Sequence, residues 1–178
     1  PMMWPIVCAS WPVSATPRKR SRATGLAAIG RSRSAAKISP AALLKALNPR
    51  GSADYFYAPI LGCEKLVFYT KFPSEYLRPL EETDRLSIRH LNLPGIVDVL
   101  VAAIHFNDKR NWSDNSQAMA SVDLAKTIRD VEARVGHQRT VLIGDFNMNP
   151  FDAGMVGALG LHATMDRRIA EKVERTVQ

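Results

Sequence analysis

The sequence predicts an α/β domain in which helices pack on a mixed β-sheet. Strand patterns alternate with helix patterns from residue 65 onward, two strands are almost continuously apolar, and one long helix carries a single apolar stripe. The 178 residues are enough for one domain with a buried core, and the apolar content of 46% is ordinary for a globular protein. No run of roughly 18 apolar residues suggests a membrane-spanning helix.

The first half of this pattern consists of short elements. Residues 41–47 (AALLKAL) predict a short helix, and residues 65–71 (KLVFYTK) are rich in β-forming side chains and predict a strand. Residues 73–79 predict a connection because prolines bound them. Residues 85–93 (RLSIRHLNL) alternate apolar and polar side chains, which predicts a half-exposed strand.

Two buried strands and one long helix form the second half. Residues 97–104 (VDVLVAAI) and 139–144 (RTVLIG) are almost continuously apolar, as expected of strands covered on both faces. The best helix pattern lies between them, over residues 114–135, with its apolar residues three or four apart. Its stripe is formed by Leu124, Ile128, Val131 and Val135.

Capping residues define the ends of these helices. Ser113 or Asp114 can cap the start of the long helix, and Gly136 can end it in a left-handed conformation. A short helix is predicted after Pro150, over residues 150–159, with Asn149 as its cap.

The net charge of +7 comes from the first part of the chain. Residues 1–53 hold nine Lys or Arg and no acid, whereas residues 54–178 hold fifteen basic and seventeen acidic residues. The segment with strand and helix patterns is therefore close to neutral. For this reason the pI of about 9.7 does not indicate a nucleic-acid-binding surface on the folded part.

The first residues also lack regular periodicity, so we predict an irregular basic head over residues 1–38 and a folded domain over residues 39–178. The head is rich in Ser, Ala and Arg and shows neither a period of 2 nor one of 3.6. It can be a disordered arm that contacts phosphate backbones or a transit-like segment. The third alternative is a segment that is not native to the domain, such as the product of a displaced reading frame.

The two cysteines, Cys8 and Cys63, are too few for a disulfide framework and lack the spacing of a metal site. This usage favours a reducing compartment, and we therefore expect a cytoplasmic protein. The sequence gives no oligomeric state.

Polar residues follow both buried strands at the point where each strand ends. His105, Asn107 and Lys109 come after the first strand, and Asp145 and Asn147 come after the second. Strand ends hold polar groups rigidly beside the core, and ligand sites often form there. Each residue also has a structural interpretation, since a lone strand-end His is commonly a satisfied group and Gly-Asp is commonly a turn.

The remaining histidines carry no such context. His90 lies on the alternating strand, and His137 and His162 lie next to loops. We therefore interpret all three as surface residues.

The run Gly144-Asp145-Phe146-Asn147 follows a predicted strand and resembles the GDFN motif of the endonuclease/exonuclease/phosphatase superfamily. This superfamily includes DNase I-like nucleases, abasic-site endonucleases, sphingomyelinases and inositol polyphosphate phosphatases. The strand that ends in His105, followed by one helix and then by the motif, is similar to the order in that family. The resemblance covers roughly residues 60–165, and it implies a DNase I-like layered α/β sandwich with a mixed sheet.

The resemblance implies a phosphoesterase in which His105, Asp145 and Asn147 are catalytic and Mg²⁺, or Mn²⁺, is the cofactor. The Asp145 carboxylate would orient or deprotonate the attacking water, and Asn147 would bind phosphate and hold that carboxylate. His105 would donate a hydrogen bond to a phosphate oxygen. Asn107 and Lys109 would contact the substrate, which the resemblance implies is a phosphate ester, nucleic acid among them.

Three features of the family are missing from this sequence. A Trp-Asn pair is absent, since Trp4 is followed by Pro5, and Glu64 comes later than the family's metal-binding Glu. The closing Ser-Asp-His motif is absent too, since His162 lacks the preceding Asp. These absences predict an incomplete domain, leave the metal ligands unassigned and favour the interpretation of the head as not native.

Two other hypotheses remain open from the sequence. The chain can be a non-catalytic module of the same fold that binds nucleic acid or a protein partner through its basic head. It can also be an unrelated α/β domain in which Gly144-Asp145-Phe146-Asn147 is only a turn.

Overall fold

The structure, a computed structural model, describes residues 26–28, 39–58, 62–63 and 65–170. The predicted basic head, apart from residues 26–28, and Glu64 lie outside the described residues. The strands are β1 (Leu26–Ala28), β2 (Phe56–Ala58), β3 (Phe68–Thr70), β4 (Leu77–Glu82), β5 (Leu86–Leu91), β6 (Val99–His105) and β7 (Thr140–Asp145). The helices are α1 (Pro40–Leu47), α2 (Asp114–Val135), α3 (Ala153–Val156) and α4 (Arg167–Ala170), with 3₁₀ turns at Pro49–Gly51 and Ser74–Tyr76.

The described strands form two sheets. The larger sheet has the order β4-β5-β6-β7, with β6 antiparallel to β5 and parallel to β7. The smaller sheet has the order β1-β3-β2 and is antiparallel throughout. Helices together with a mixed sheet confirm the predicted α/β class.

The two faces of β6 belong to different cores. Leu100, Ala102 and Ile104 pack in one cluster with Leu124 and Val131 of α2. Val101 and Ala103 point to the other side and pack in a second cluster, which includes Ala58 and Phe68 of the smaller sheet. The larger sheet is therefore the middle layer, between α2 and the smaller sheet, and its central strand is buried on both faces as predicted.

The long helix forms where the sequence predicts it. α2 covers residues 114–135, and all four residues of its predicted stripe pack against the larger sheet. The Ser113 hydroxyl accepts a hydrogen bond from the backbone N–H of Ser116, which caps the start of the helix. Gly136 ends it with φ of 79°, in the left-handed region.

The predicted connection over residues 73–79 was wrong in its second half, where β4 begins at Leu77. Pro79 made this segment resemble a loop, but β4 lies at one edge of the sheet that the described strands form, and an edge strand tolerates a missing N–H. A register shift between Pro79 and Glu81 accompanies it. The sequence pattern misled because it does not state which strand lies at the edge.

The predicted half exposure of β5 was also wrong, because its first four residues are buried. Arg89 is only 1% exposed, and its guanidinium lies 2.6 Å from a Glu82 carboxylate oxygen and 4.7 Å from the ring centre of Phe68. An arginine is tolerated in the core when it is paired and stacked in this way. The alternation therefore marks two different buried faces, one of which is polar.

The predicted burial of β7 was wrong as well. β7 lies at the edge of the larger sheet, and among its residues only Leu142 is fully buried. The short helix after Pro150 exists, but it covers only Ala153–Val156, and Asp152 rather than Asn149 occupies its N-cap position. Among the residues that the structure describes, no helix combines the length and apolar character needed to cross a bilayer.

Candidate functional site

The pairing of β6 with β7 places two of the predicted catalytic residues side by side. His105 is the register partner of Asp145, and each is the last residue of its strand. Side chains at paired positions of neighbouring parallel strands point to the same face. We call His105, Asp145 and Asn147 the carboxyl-end site, because both strands end there.

Gly144 allows the two strands to approach each other at this end. Its φ is +145°, and a Cβ atom on it would lie only 1.9 Å from the backbone oxygen of Ile104. No residue other than glycine fits at this distance without movement of the backbone. The motif therefore needs its glycine for a packing reason.

Hydrogen bonds fix the loop after β7. The backbone N–H of Asn147 donates to Asp145 Oδ1 at 2.9 Å, and the Asn147 amide donates to the backbone oxygen of Phe106 at 2.7 Å. Asn147 has φ of 51°, a left-handed conformation that asparagine tolerates better than most residues. Asn147 therefore positions the Asp145 carboxylate and ties the β7 loop to the end of β6.

Two aromatic side chains anchor the same loops on the side of the sheet that faces α2. Phe106 and Phe146 are about 6% and 5% exposed, and their rings meet edge to face with centroids 6.1 Å apart. The apolar rings sit in the core shared with α2, whereas Asp145 on the opposite side is exposed. The alternation of apolar and polar residues thus holds the polar groups at the surface.

The sequence interpretation missed Gln117, a buried residue in the first turns of α2. Its Nε2 group donates to the backbone oxygens of Asn107 and Asn147, both at 3.1 Å. It therefore links the loop after β6 to the loop after β7. A glutamine at the polar-looking start of a helix gave no sequence signal that it would be 1% exposed.

The two predicted substrate-binding residues occupy the same loop but differ in their contacts. Asn107 is half-buried and lies in the loop fixed by Gln117. The Lys109 ammonium lies 2.6 Å from Asp152 and 3.3 Å from Asp114. Its hydrogen bond to Asp152 raises the pKa of Lys109 and lowers that of Asp152. A phosphate would have to compete with these carboxylates for Lys109.

The described residues of the carboxyl-end site offer one carboxylate to a divalent cation. Asp145 is exposed, and its Oδ2 makes no hydrogen bond to the residues that the structure describes. Mg²⁺ is commonly bound by one or two carboxylates together with waters and substrate phosphates. Within the same described ranges, no group of three acidic, histidine or cysteine side chains surrounds Asp145. Asp145 is therefore the carboxylate of this site that the described residues leave available to a cation.

A second polar group lies at the other end of the same strands. His90, Asp98 and His137, which we call the amino-end cluster, bring three ligand-type atoms within 4.8 Å of one another. The interpretation of His90 and His137 as surface residues was wrong, since their side chains are only 14% and 7% exposed. The three residues of the cluster come from three separate segments of the chain, so no local spacing in the sequence indicated the cluster.

The amino-end cluster places two imidazoles and a guanidinium around one carboxylate. Asp98 Oδ2 lies 2.8 Å from His90 Nε2 and 3.2 Å from His137 Nε2, and Asp98 Oδ1 accepts a hydrogen bond from the Arg139 guanidinium. The hydrogen bonds from His90 and Arg139 lower the pKa of Asp98 to about 2. Asp98 is therefore ionised throughout the physiological range.

Comparisons with known proteins found no family model and no curated protein that matches this chain.

Proposed function

We propose that this chain is a metal-dependent phosphoesterase with a DNase I-like fold, and that the carboxyl-end site is its catalytic centre. One observation carries the proposal: His105 and Asp145 are register partners at the ends of parallel strands, with Asn147 bonded to both loops. The layered arrangement, a mixed sheet between α2 and a smaller sheet, supports the fold assignment.

Asp145 acts on the attacking water. Asp145 Oδ1 accepts a hydrogen bond from the Asn147 N–H, so the carboxylate has a fixed orientation, and the residue is exposed to solvent. A carboxylate in this state can accept a hydrogen bond from a water molecule and align it, or remove its proton, as the water attacks phosphorus.

His105 acts on the phosphate. Its imidazole lies on the same face as Asp145 at the neighbouring strand end. In its protonated form it donates a charge-assisted hydrogen bond to a phosphoryl oxygen and offsets the negative charge that develops there. The water is thus activated on one strand and the phosphate is bound on the next.

Asn147 and Gln117 are positioning residues in this scheme. Asn147 orients Asp145, and Gln117 fixes the two loops that hold both catalytic groups. Asp145 would be the protein ligand of a Mg²⁺ or Mn²⁺ ion, which when bound supplies a Lewis acid for the phosphoryl oxygens. The substrate is a phosphodiester or phosphomonoester, and nucleic acid is one such substrate.

The test is hydrolysis of a plasmid and of a chromogenic phosphate bis-ester, with Mg²⁺ and with excess chelator. Wild type is compared with Asp145→Asn, which keeps the shape of the side chain but loses its charge. We expect Mg²⁺-dependent turnover in wild type and a loss of at least about a hundredfold in the variant, as for removal of a catalytic base.

Asp130→Asn is the matched control, because Asp130 is an exposed aspartate of α2 far along the helix from the site. It should keep wild-type turnover. If both variants lose activity equally, or if folded wild type hydrolyses neither substrate, the proposed function is wrong. If turnover is unchanged in Asp145→Asn, the Gly144-Asp145-Phe146-Asn147 run is only a turn.

A further inference from the structure

The amino-end cluster has the donor set of a transition-metal site. Two imidazole nitrogens, His90 Nε2 and His137 Nε2, face the same carboxylate oxygen, Asp98 Oδ2. Neutral imidazole suits zinc, copper, iron and nickel, and a carboxylate can complete such a set. Oxygen-preferring ions such as Mg²⁺ and Ca²⁺ rarely use two histidines.

The spacing of these atoms fits a small tetrahedral ion. Zn²⁺ lies about 2.0–2.2 Å from nitrogen and oxygen ligands, so the ligand atoms of a tetrahedral site are roughly 3.3 Å apart. In the amino-end cluster two of these separations are 2.8 Å and 3.2 Å, and all three are within 4.8 Å. Small shifts of the side chains are therefore enough to admit an ion.

The surroundings of the cluster hold the carboxylate and leave a route to solvent. The Arg139 guanidinium bonds to Asp98 Oδ1, and Arg139 Nε donates to the Asp98 backbone oxygen at 2.9 Å, which leaves Oδ2 directed at the histidines. A surface depression lined by His137, Arg129, Glu132 and Gln138 opens beside the cluster. Such depressions allow an ion and its remaining water ligands to reach a half-buried site.

We propose that His90, Asp98 and His137 form a binding site for a divalent transition-metal ion, with Zn²⁺ as its best representative. The ion would take the place of the hydrogen bond between His90 Nε2 and Asp98 Oδ2. It would also give a partner to His137 Nε2, which is buried and makes no hydrogen bond to the described residues. It also displaces the contact in which the Arg139 backbone N–H donates to His137 Nδ1 at 3.2 Å, because a metal-bound neutral imidazole carries its proton on that nitrogen. This contact is long for a hydrogen bond, so its loss is a small penalty.

The ion stabilises the sheet rather than assisting at the carboxyl-end site. β6 has seven residues, which span about 20 Å at roughly 3.3 Å per residue, and the two groups lie at its opposite ends. The ligands come from β5, from the residue before β6 and from the connection between α2 and β7. A metal there links three segments that otherwise meet only through hydrogen bonds and packing.

The test is a calorimetric titration of the chelator-washed full chain with ZnCl₂, and a parallel titration with MgCl₂. We expect one Zn²⁺ per chain and no Mg²⁺ uptake at the cluster. His90→Gln and His137→Gln should each weaken Zn²⁺ binding by at least about tenfold, since even the loss of an outer-shell partner of a metal site costs 10–100-fold.

His162→Asn is the matched control, because His162 lies outside the cluster and asparagine tolerates its φ of 48°. It should bind Zn²⁺ like wild type. Absence of Zn²⁺ binding by wild type overturns the proposal, and so does binding that both cluster variants retain.

A measurement on wild type alone covers the case in which a variant fails to fold. Thermal unfolding in Zn²⁺ at about a hundred times its dissociation constant should raise Tm by roughly 5–10 °C, as binding to the folded state alone requires. An unchanged Tm, with no heat of binding, overturns the proposal. Both measurements are independent of hydrolysis, so failure of the proposed function does not affect them.

Discussion

The two ends of the β6–β7 pair hold polar groups of opposite character. At the carboxyl-end site, Asp145 is exposed and its described partner is a backbone N–H. At the amino-end cluster, Asp98 is surrounded by His90, His137 and Arg139. A carboxylate without a fixed cation is available to water and to ligands, whereas one that contacts a guanidinium and two imidazoles contributes to the stability of the fold.

The difference follows from how each group is assembled. The carboxyl-end site comes from two neighbouring strand ends, and the side-chain amides of Gln117 and Asn147 fix their loops by donating to backbone oxygens. The amino-end cluster is assembled from three segments, and the contacts of Asp98 Oδ2 within it are with the side chains of His90 and His137. We expect mutations at the first to affect activity and loop geometry, and mutations at the second to affect stability and metal binding.

The largest effect is expected for Gly144→Ala, which forces apart the strands at the carboxyl-end site. The new Cβ would lie 1.9 Å from the backbone oxygen of Ile104. We expect a loss of more than about 4 kcal/mol in the free energy of unfolding, measured by urea denaturation. Gly95→Ala is the control: Gly95 also has positive φ, but a Cβ there meets nothing within 4 Å, so the loss should be only about 1–2 kcal/mol. Equal losses of stability in Gly144→Ala and Gly95→Ala would mean that the close approach of β7 to the Ile104 backbone is unimportant.

The next largest effect is expected for Gln117→Met, which removes two hydrogen bonds and keeps the volume. The backbone oxygens of Asn107 and Asn147 would lose a buried donor, and the free energy of unfolding should fall by about 1–3 kcal/mol. Asn115→Met, at an exposed position of α2, should change it by less than about 0.5 kcal/mol. If Gln117→Met and Asn115→Met had the same free energy of unfolding, the hydrogen bonds from Gln117 would not be needed to fix the two loops.

Asp98→Asn should lower Tm of the metal-free protein, because the neutral amide cannot both pair with the Arg139 guanidinium and accept the hydrogen bond from His90 as the carboxylate does. Asp130→Asn, an exposed helix position, should leave Tm unchanged. Differential scanning fluorimetry in chelator measures both. Equal Tm values for Asp98→Asn and wild type would remove the stabilising role assigned to the amino-end cluster.

The smallest effect concerns the exposed pair of Lys109 and Asp152. The hydrogen bond from Lys109 lowers the pKa of Asp152, so the pair stabilises the folded state above the unfolded-state pKa of about 3.9. This contribution is lost as the pH falls through the lowered pKa of Asp152. Wild type should therefore melt slightly above Asp152→Asn at pH 6, and the difference should vanish in stronger acid. If wild type still melted above Asp152→Asn in stronger acid, the difference in Tm would come from packing and not from the ion pair.

Much of the carboxyl end could be predicted from the sequence. Val99 to His105 and residues 114–135 have strong patterns, and the polar residues end each strand or follow it directly, so local order was enough to place them. The burial of β5 and the edge position of β7 could not be predicted in this way, because they depend on which neighbours cover a strand. Arg89 is buried through its partners Glu82 and Phe68, and those contacts are tertiary.

The amino-end cluster and the buried position of Gln117 could not be predicted from the sequence for the same reason, because both depend on tertiary contacts. His90 and Asp98 meet across the turn between β5 and β6, and His137 arrives only because α2 returns the chain to the same end of the sheet. No spacing of two or four residues links these three. Long-range convergence of this kind becomes visible only when the strand register is known.

The most direct test of the account is hydrolysis of the phosphate bis-ester by His105→Gln, Asp145→Asn and the double variant, all in Mg²⁺. If the two side chains act on one reacting phosphate, each single variant loses at least about a hundredfold in kcat/KM. The double variant should then fall little further, because groups that act as a unit are not additive. Activity that survives in the double variant would contradict the assignment of the catalytic centre to the carboxyl-end site.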